Sequence, residues 1–199
     1  MNNPKFILAS SSPRRSHLLE TMGIIPDAII SPDIDESAHK GELPLALAGR
    51  LCVEKNNAVN QAYHGSIILT ADTVVSCGRF ILPKAETEND FRLCMDKISG
   101  RRHKAMTGVA VCDPDGTVRS KVVTSMVKIK KLTDAEIDAF YKTNEWQGKA
   151  GGYALQGFFG QFIQTISGSY SAIVGLPVHE TANMLQTAGM TLFSSSDQS

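Results

Sequence analysis

The chain has 199 residues, 42% hydrophobic and 20% charged, with 20 Lys and Arg balanced by 20 Asp and Glu. That is the profile of one globular domain with a sizeable core, and zero net charge argues against a general nucleic-acid binder, which needs a broad basic surface. No apolar run nears the roughly 20 residues of a spanning helix, and Phe6 to Ala9 is too short for a signal-peptide core, so the expectation is a cytoplasmic protein without membrane contact.

Strands and helices alternate, which predicts an α/β fold. Phe6 to Ala9 reads as a short buried strand and Arg14 to Met22 as a helix, with Leu18, Leu19 and Met22 on one face. Leu45 to Tyr63 carries a helical period through Ala48, Leu51, Cys52, Ala58, Val59 and Ala62. Ser66 to Val75 is apolar with little alternation, as in a central strand. A turn near Gly78 leads to a short strand, Phe80 to Leu82. Thr87 opens a helix whose apolar face is Phe91, Cys94, Met95 and Ile98. His103 to Cys112 and Val118 to Lys131 form a hairpin about Asp113-Pro114-Asp115-Gly116. Thr133 to Glu136 is a capping box for a helix ending near Lys142. After a Gly-rich stretch come a strand, Phe162 to Ile166, and a closing helix, Leu176 to Ala188. The domain is expected to span 1–192, with a frayed tail from Phe193. Cys52, Cys77, Cys94 and Cys112 form no CxxC pair and the histidines no HxxxH, so free thiols are expected and a zinc site is not.

Local rules are broken in three places. Ser10-Ser11-Ser12-Pro13-Arg14-Arg15 follows a strand and opens a helix. Ser12 suits the N-cap and Pro13 the first helical position, but two arginines face the positive end of the helix dipole. Either they are solvated, or an anion sits there among free N–H groups, the serine hydroxyls from Ser10 on and the guanidinium forks. Lys55 falls on the apolar stripe of its helix; it either meets an anion or snorkels to water. Asp72 interrupts an apolar strand. It is a metal ligand or base, or else half of a structural ion pair. Asp35 and Glu36, in a polar loop, are either further carboxylate ligands or solvated. Lys84 ends a strand, where it faces a ligand or the solvent. The glycines around Lys149 and Gln156 make no Walker loop; they serve close backbone approach or tight turns. Basic groups with a strand-borne carboxylate suit metal-assisted hydrolysis of a phosphate ester or anhydride.

Leu8-Ala9-Ser10, Ser12-Pro13-Arg14-Arg15, Ile34-Asp35-Glu36, Lys55, Ala71-Asp72-Thr73-Val74-Val75 and Ile81-Leu82-Pro83-Lys84 resemble, in order, the motifs of the Maf family. The match continues through Ser99-Gly100-Arg101, Thr107-Gly108-Val109, Lys149 to Gly157, Gly168-Ser169-Tyr170 and Val174 to Pro177. The resemblance implies a mixed, twisted sheet with flanking helices and two lobes around a cleft, as in inosine triphosphate pyrophosphatases. It implies hydrolysis of the α–β anhydride of a nucleoside triphosphate with a divalent cation, Mg²⁺ or Mn²⁺, by a cytoplasmic homodimer. By matching position, Asp72 is the proton acceptor and a metal ligand, and Glu36 a metal or water ligand. Lys55 and Lys84 grip phosphates with Arg14 and Arg15. Ser10 belongs to the substrate-binding set, and Arg14, Thr73 and Gln156 bear on substrate choice. Ala-Asp-Thr at 71–73 resembles the subgroup preferring dTTP and UTP; the subgroup acting on 7-methyl-GTP shows Ser-Asp-Gln. A septum-regulating nucleotide binder is the non-catalytic alternative. Ala85 replaces the usual proline after Lys84, which implies a less rigid loop.

Overall fold

The computed structural model describes residues 4–192, so the tail expected to fray lies outside the described residues. In chain order the elements are β1 (Phe6–Ala9), α1 (Pro13–Thr21), β2 (Ala28–Ile30), α2 (Pro44–Asn60), β3 (Ile67–Cys77), β4 (Phe80–Leu82), β5 (Lys84–Ala85) and α3 (Glu88–Ile98). There follow β6 (Arg102–Cys112), β7 (Val118–Ile129), α4 (Asp134–Tyr141), β8 (Lys149–Ala150), a 3-10 turn (Phe158–Phe162), β9 (Ile163–Ser167), α5 (Tyr170–Val174) and α6 (Val178–Thr187).

The main sheet runs β2-β1-β3-β6-β7-β9, with β4 folded back on the end of β3; β5 and β8 form a separate ladder. β1 is parallel to β2 and β3, and the remaining pairs are antiparallel. Burial of all four β1 residues explains its unbroken apolar run. β3 is apolar on both faces because both are covered. Ile67, Leu69 and Ala71 pack with α1 and α6, whereas Ile68 and Val74 face α2. Gly108 lets α2 lie close: a Cβ there would sit 2.1 Å from the Ala48 carbonyl oxygen and 2.9 Å from Cys52 Sγ.

On the face opposite α2 the core divides in two. One part gathers Leu18, Leu19, Leu69, Val109 and Leu185; the other gathers Val75, Phe91, Met95, Phe140, Trp146 and Phe159 from the α3–α4 end. Phe140 and Phe159 ring centroids are 4.9 Å apart, and those of Phe91 and Trp146 are 5.3 Å apart, within the range of favourable aromatic pairs. These two cores are the expected lobes.

The predicted helices and long strands form, with shifted ends. α6 starts at Val178 rather than Leu176, because Leu176 precedes Pro177 and is steered away from helical angles. Four elements were not expected from sequence. β2 is three partly exposed residues, α5 is five residues, and β5 and β8 are two each; none is long enough to show a period. The Thr87 and Thr133 capping boxes form in full. Ser12 occupies the N-cap of α1, but its hydroxyl makes no capping bond. Instead the Ser10 hydroxyl accepts from the Ser12 N–H at 3.2 Å. All four cysteines are free, and among the described residues no helix is long and apolar enough to cross a membrane.

Candidate active site

A gap in the sheet creates the site. β1 ends with Ala9 opposite Thr70, and β4, antiparallel, ends with Leu82 opposite Val75. Ala71 to Val74 therefore have no strand beside them on that edge, and a cleft of 330 Å³ opens there between the two lobes. The start of α1 forms one wall, β5 and β8 another, and the loop after β2 closes a third side.

Asp72 sits opposite Gly108 on the α2 face of β3. Because Gly108 brings α2 close, Lys55 reaches across and donates to Asp72 Oδ1. Both residues are 6% exposed. Lys55 Nζ also lies 2.7 Å from Glu36 Oε1, and Lys84 Nζ donates to Glu36 Oε2 at 2.5 Å. The buried lysine and the strand acid, left open as separate anomalies by the sequence, are thus each other's partners. Burial pushes the Glu36 carboxyl up, but hydrogen bonds from Lys55 and Lys84 outweigh this and hold it down at about 2.

Glu36 owes its place to Arg50. The segment from 31 to 43 has no regular structure, yet Arg50 grips Glu42 through Nε and Nη2, both at 2.8 Å, and donates to the Ser37 carbonyl at 2.9 Å. Asp35 is exposed and accepts from the Ser37 N–H at 2.9 Å; it shapes the loop rather than lining the cleft.

The two arginines find partners that the sequence did not indicate. Arg15 Nε donates to the Gly175 carbonyl at 2.9 Å, and Arg14 Nε to that of Val174 at 3.3 Å. These carbonyls lie at the C-terminal, negative end of α5, which offsets the positive start of α1. Arg15 Nη1 also donates to Ser10 Oγ at 2.9 Å, so Ser10 holds an arginine at the cleft wall. Burial pushes both guanidiniums down; for Arg15 the Asp72 charge opposes it and the Arg14 charge adds to it. Burial likewise lowers Lys149, with Arg14 adding repulsion and Glu145 opposing both. Desolvated cations crowded together are stabilised by an anion between them.

The cleft gathers the remaining predicted residues as well: Thr73 and Lys84 line it, and so does the exposed Gln156. Two more lining residues, Lys149 and Tyr153, were passed over as members of a glycine-dense stretch. Lys149 pairs with Ala85 across the β5–β8 ladder, which places it next to Lys84. That ladder, with the Gly148 N–H donating to the Ala85 carbonyl at 2.9 Å, holds the segment where proline was expected to stiffen it; Ala85 is fully buried. Tyr153 is fixed by His103, 2.6 Å away through Nε2. Cations in the lining outnumber carboxylates five to two, which suits a polyanion. Among the described residues no group of three or more His, Cys, Asp or Glu side chains is placed to hold a metal.

The chain is similar to proteins of named activity. A dTTP/UTP pyrophosphatase of Gluconobacter oxydans is 50% identical over 93% of this chain and 87% of its own. One of Caulobacter vibrioides is 47% identical over 94% and 96%. A nucleoside triphosphate pyrophosphatase of Neorickettsia sennetsu is 45% identical over 93% and 88%. Among solved structures, the Ham1 protein of Staphylococcus aureus shares the fold, with a TM-score of 0.50 at 14% identity over 91% of this chain and 97% of that one. The family model described as Maf-like protein matches residues 5–188; the chain belongs to the Maf-like family.

Proposed function

We propose that this protein hydrolyses dTTP and UTP to the monophosphate and pyrophosphate, with the cleft at the sheet gap as its active site. One observation carries the reading: Lys55 is held between the carboxylates of Asp72 and Glu36 in a cleft whose other charged lining residues are all cations. The names of close relatives support the substrate.

In this reading Arg14, Arg15, Lys84 and Lys149 draw the triphosphate into the cleft. Arg14 is anchored through Nε, and Arg15 through Nε and through Nη1 on Ser10, so their remaining guanidinium donors meet the phosphates with little freedom left to lose. As the α–β bond breaks, negative charge collects on the leaving pyrophosphate, and fixed donors stabilise it. Lys55, shared with Asp72, holds that carboxylate's orientation. Asp72 accepts the proton of the attacking water at Oδ2, the oxygen not engaged by Lys55. Gln156 and Thr73 face the nucleoside.

The donor set fits a divalent cation. Both carboxylates contact the one Lys55 ammonium, so they lie close enough together to share one small cation. Mg²⁺ is commonly held by one or two carboxylates plus substrate phosphates; Glu36 and Asp72 would hold it, or Mn²⁺, here, where it would supply charge neutralisation at the phosphates. A homodimer working in the cytoplasm belongs to the same proposal on the family resemblance, and light scattering tests the assembly.

Product analysis tests the chemistry. With UTP and Mg²⁺ the expected products are UMP and pyrophosphate; UDP and phosphate would contradict cleavage at the α–β bond. In parallel, kcat/KM for dTTP and UTP is expected to exceed that for 7-methyl-GTP, and the reverse order would overturn the substrate assignment.

A further inference from the structure

Thr107 is fully buried on β6, directly opposite Thr73 on β3. Its Oγ1 lies 2.6 Å from the Ala172 carbonyl oxygen and 2.9 Å from Thr73 Oγ1. A carbonyl oxygen only accepts, so the single Thr107 proton lies on Ala172. Thr107 then has none to offer Thr73, and the bond between the two hydroxyls uses the Thr73 proton. Each hydroxyl has one proton and two lone pairs. Thr73 has spent its proton inside the protein and offers the cleft only lone pairs.

We propose that Thr107 is a specificity-determining positioning residue, which makes the Thr73 hydroxyl an obligate acceptor and so selects a pyrimidine with a proton on N3 over one with a lone pair there. Phosphate oxygens are acceptors too, so an acceptor-only Thr73 does not serve the triphosphate tail. Every cleft cation is a donor and does that work. Uracil and thymine carry N3–H, whereas cytosine presents a lone pair at N3. Two facing acceptors leave both unsatisfied in a desolvated site, and such a mismatch discriminates far more than a small difference in shape. The inference rests on the proposed hydrolysis of dTTP and UTP and adds to it the source of base preference.

The test compares kcat/KM for UTP and CTP in the wild type, Thr107→Val, Thr107→Cys and Thr107→Ser, with melting temperatures alongside. Thr107→Val keeps the shape but removes the proton sink, freeing Thr73 to turn its proton into the cleft. The UTP/CTP ratio is expected to fall by about tenfold or more, and Thr107→Ser to keep the wild-type ratio. Thr107→Cys, a poorer acceptor of similar size, covers a valine variant that does not fold, and its ratio falls part of the way. Equal losses on both substrates, with the ratio unchanged, would show a merely structural role and overturn the proposal. A wild type that turns over neither nucleotide fails at the earlier step, as a failure of the hydrolase reading that removes both.

Discussion

At the residue scale, the most informative feature is that buried charges come as a set. Removing one partner of a buried ion pair leaves an uncompensated charge, at about 3–5 kcal/mol. Lys55→Met is therefore expected to destabilise the protein by about that much, since it leaves the Asp72 and Glu36 carboxylates together without their shared cation. Chemical denaturation of Lys55→Met against Lys55→Met/Asp72→Asn checks the cause: the double variant should recover part of the loss, and additive losses would contradict the pairing. His103 gives a pH signature. Burial pushes its imidazole down from 6.5 to about 4, so the unfolded chain takes up a proton that the folded one refuses. The contribution is fully present above pH 6.5 and is lost as pH falls towards 4, up to about 3 kcal/mol. The melting temperature of the wild type should drop more steeply across that window than that of His103→Gln; parallel curves would contradict it.

At the element scale, function depends on contacts that carry no chemistry themselves. α2 supplies Lys55 only because Gly108 gives it room. Gly108→Ala is expected to cost about 1–3 kcal/mol or more from overpacking and, by displacing α2, to lower kcat further than stability alone explains. Arg50 acts through the loop: Arg50→Met frees Ser37 and Glu42 and so releases Glu36. Activity should fall about tenfold or more, as misplacement of a site group commonly does, and further than the accompanying loss of stability explains; that loss is expected at about 1.5–3 kcal/mol, the range for hydrogen bonds to charged groups, because Arg50 and Glu42 are largely buried partners. Unchanged activity would separate Glu36 from the site. Sequence legibility also divides at this scale. Long elements with a clear period, such as α2 and α3, could be read within a few residues of their ends. β5, β8 and α5 could not, because two to five residues hold no period and the β5–β8 ladder joins segments far apart in sequence. The same reason hid Lys149, whose position comes from pairing with Ala85, and the anchoring of Arg14 and Arg15, which depends on α5 carbonyls 160 residues away.

At the scale of the whole molecule, two half-cores meet along β3 and leave its middle unpaired, and the cleft follows from that topology. A parallel β1 stopping at Thr70 and an antiparallel β4 ending at Val75 expose the strand where Asp72 and Thr73 lie. Asp72 looks towards α2 and Thr73 towards the opposite face, so in the proposed reading one dipeptide serves both the phosphate and the nucleoside side of the cleft. The residues that broke local rules in the sequence all arrive there, because charges in apolar contexts persist only where something compensates them. The central claim is that the cations bind a triphosphate while Asp72 acts in its hydrolysis. The most direct measurement is UTP binding and pyrophosphate release, with Mg²⁺, for the wild type and Asp72→Asn. The account predicts that the variant binds UTP within about tenfold of the wild type but releases pyrophosphate at least about a hundredfold more slowly; equal rates of release would contradict it.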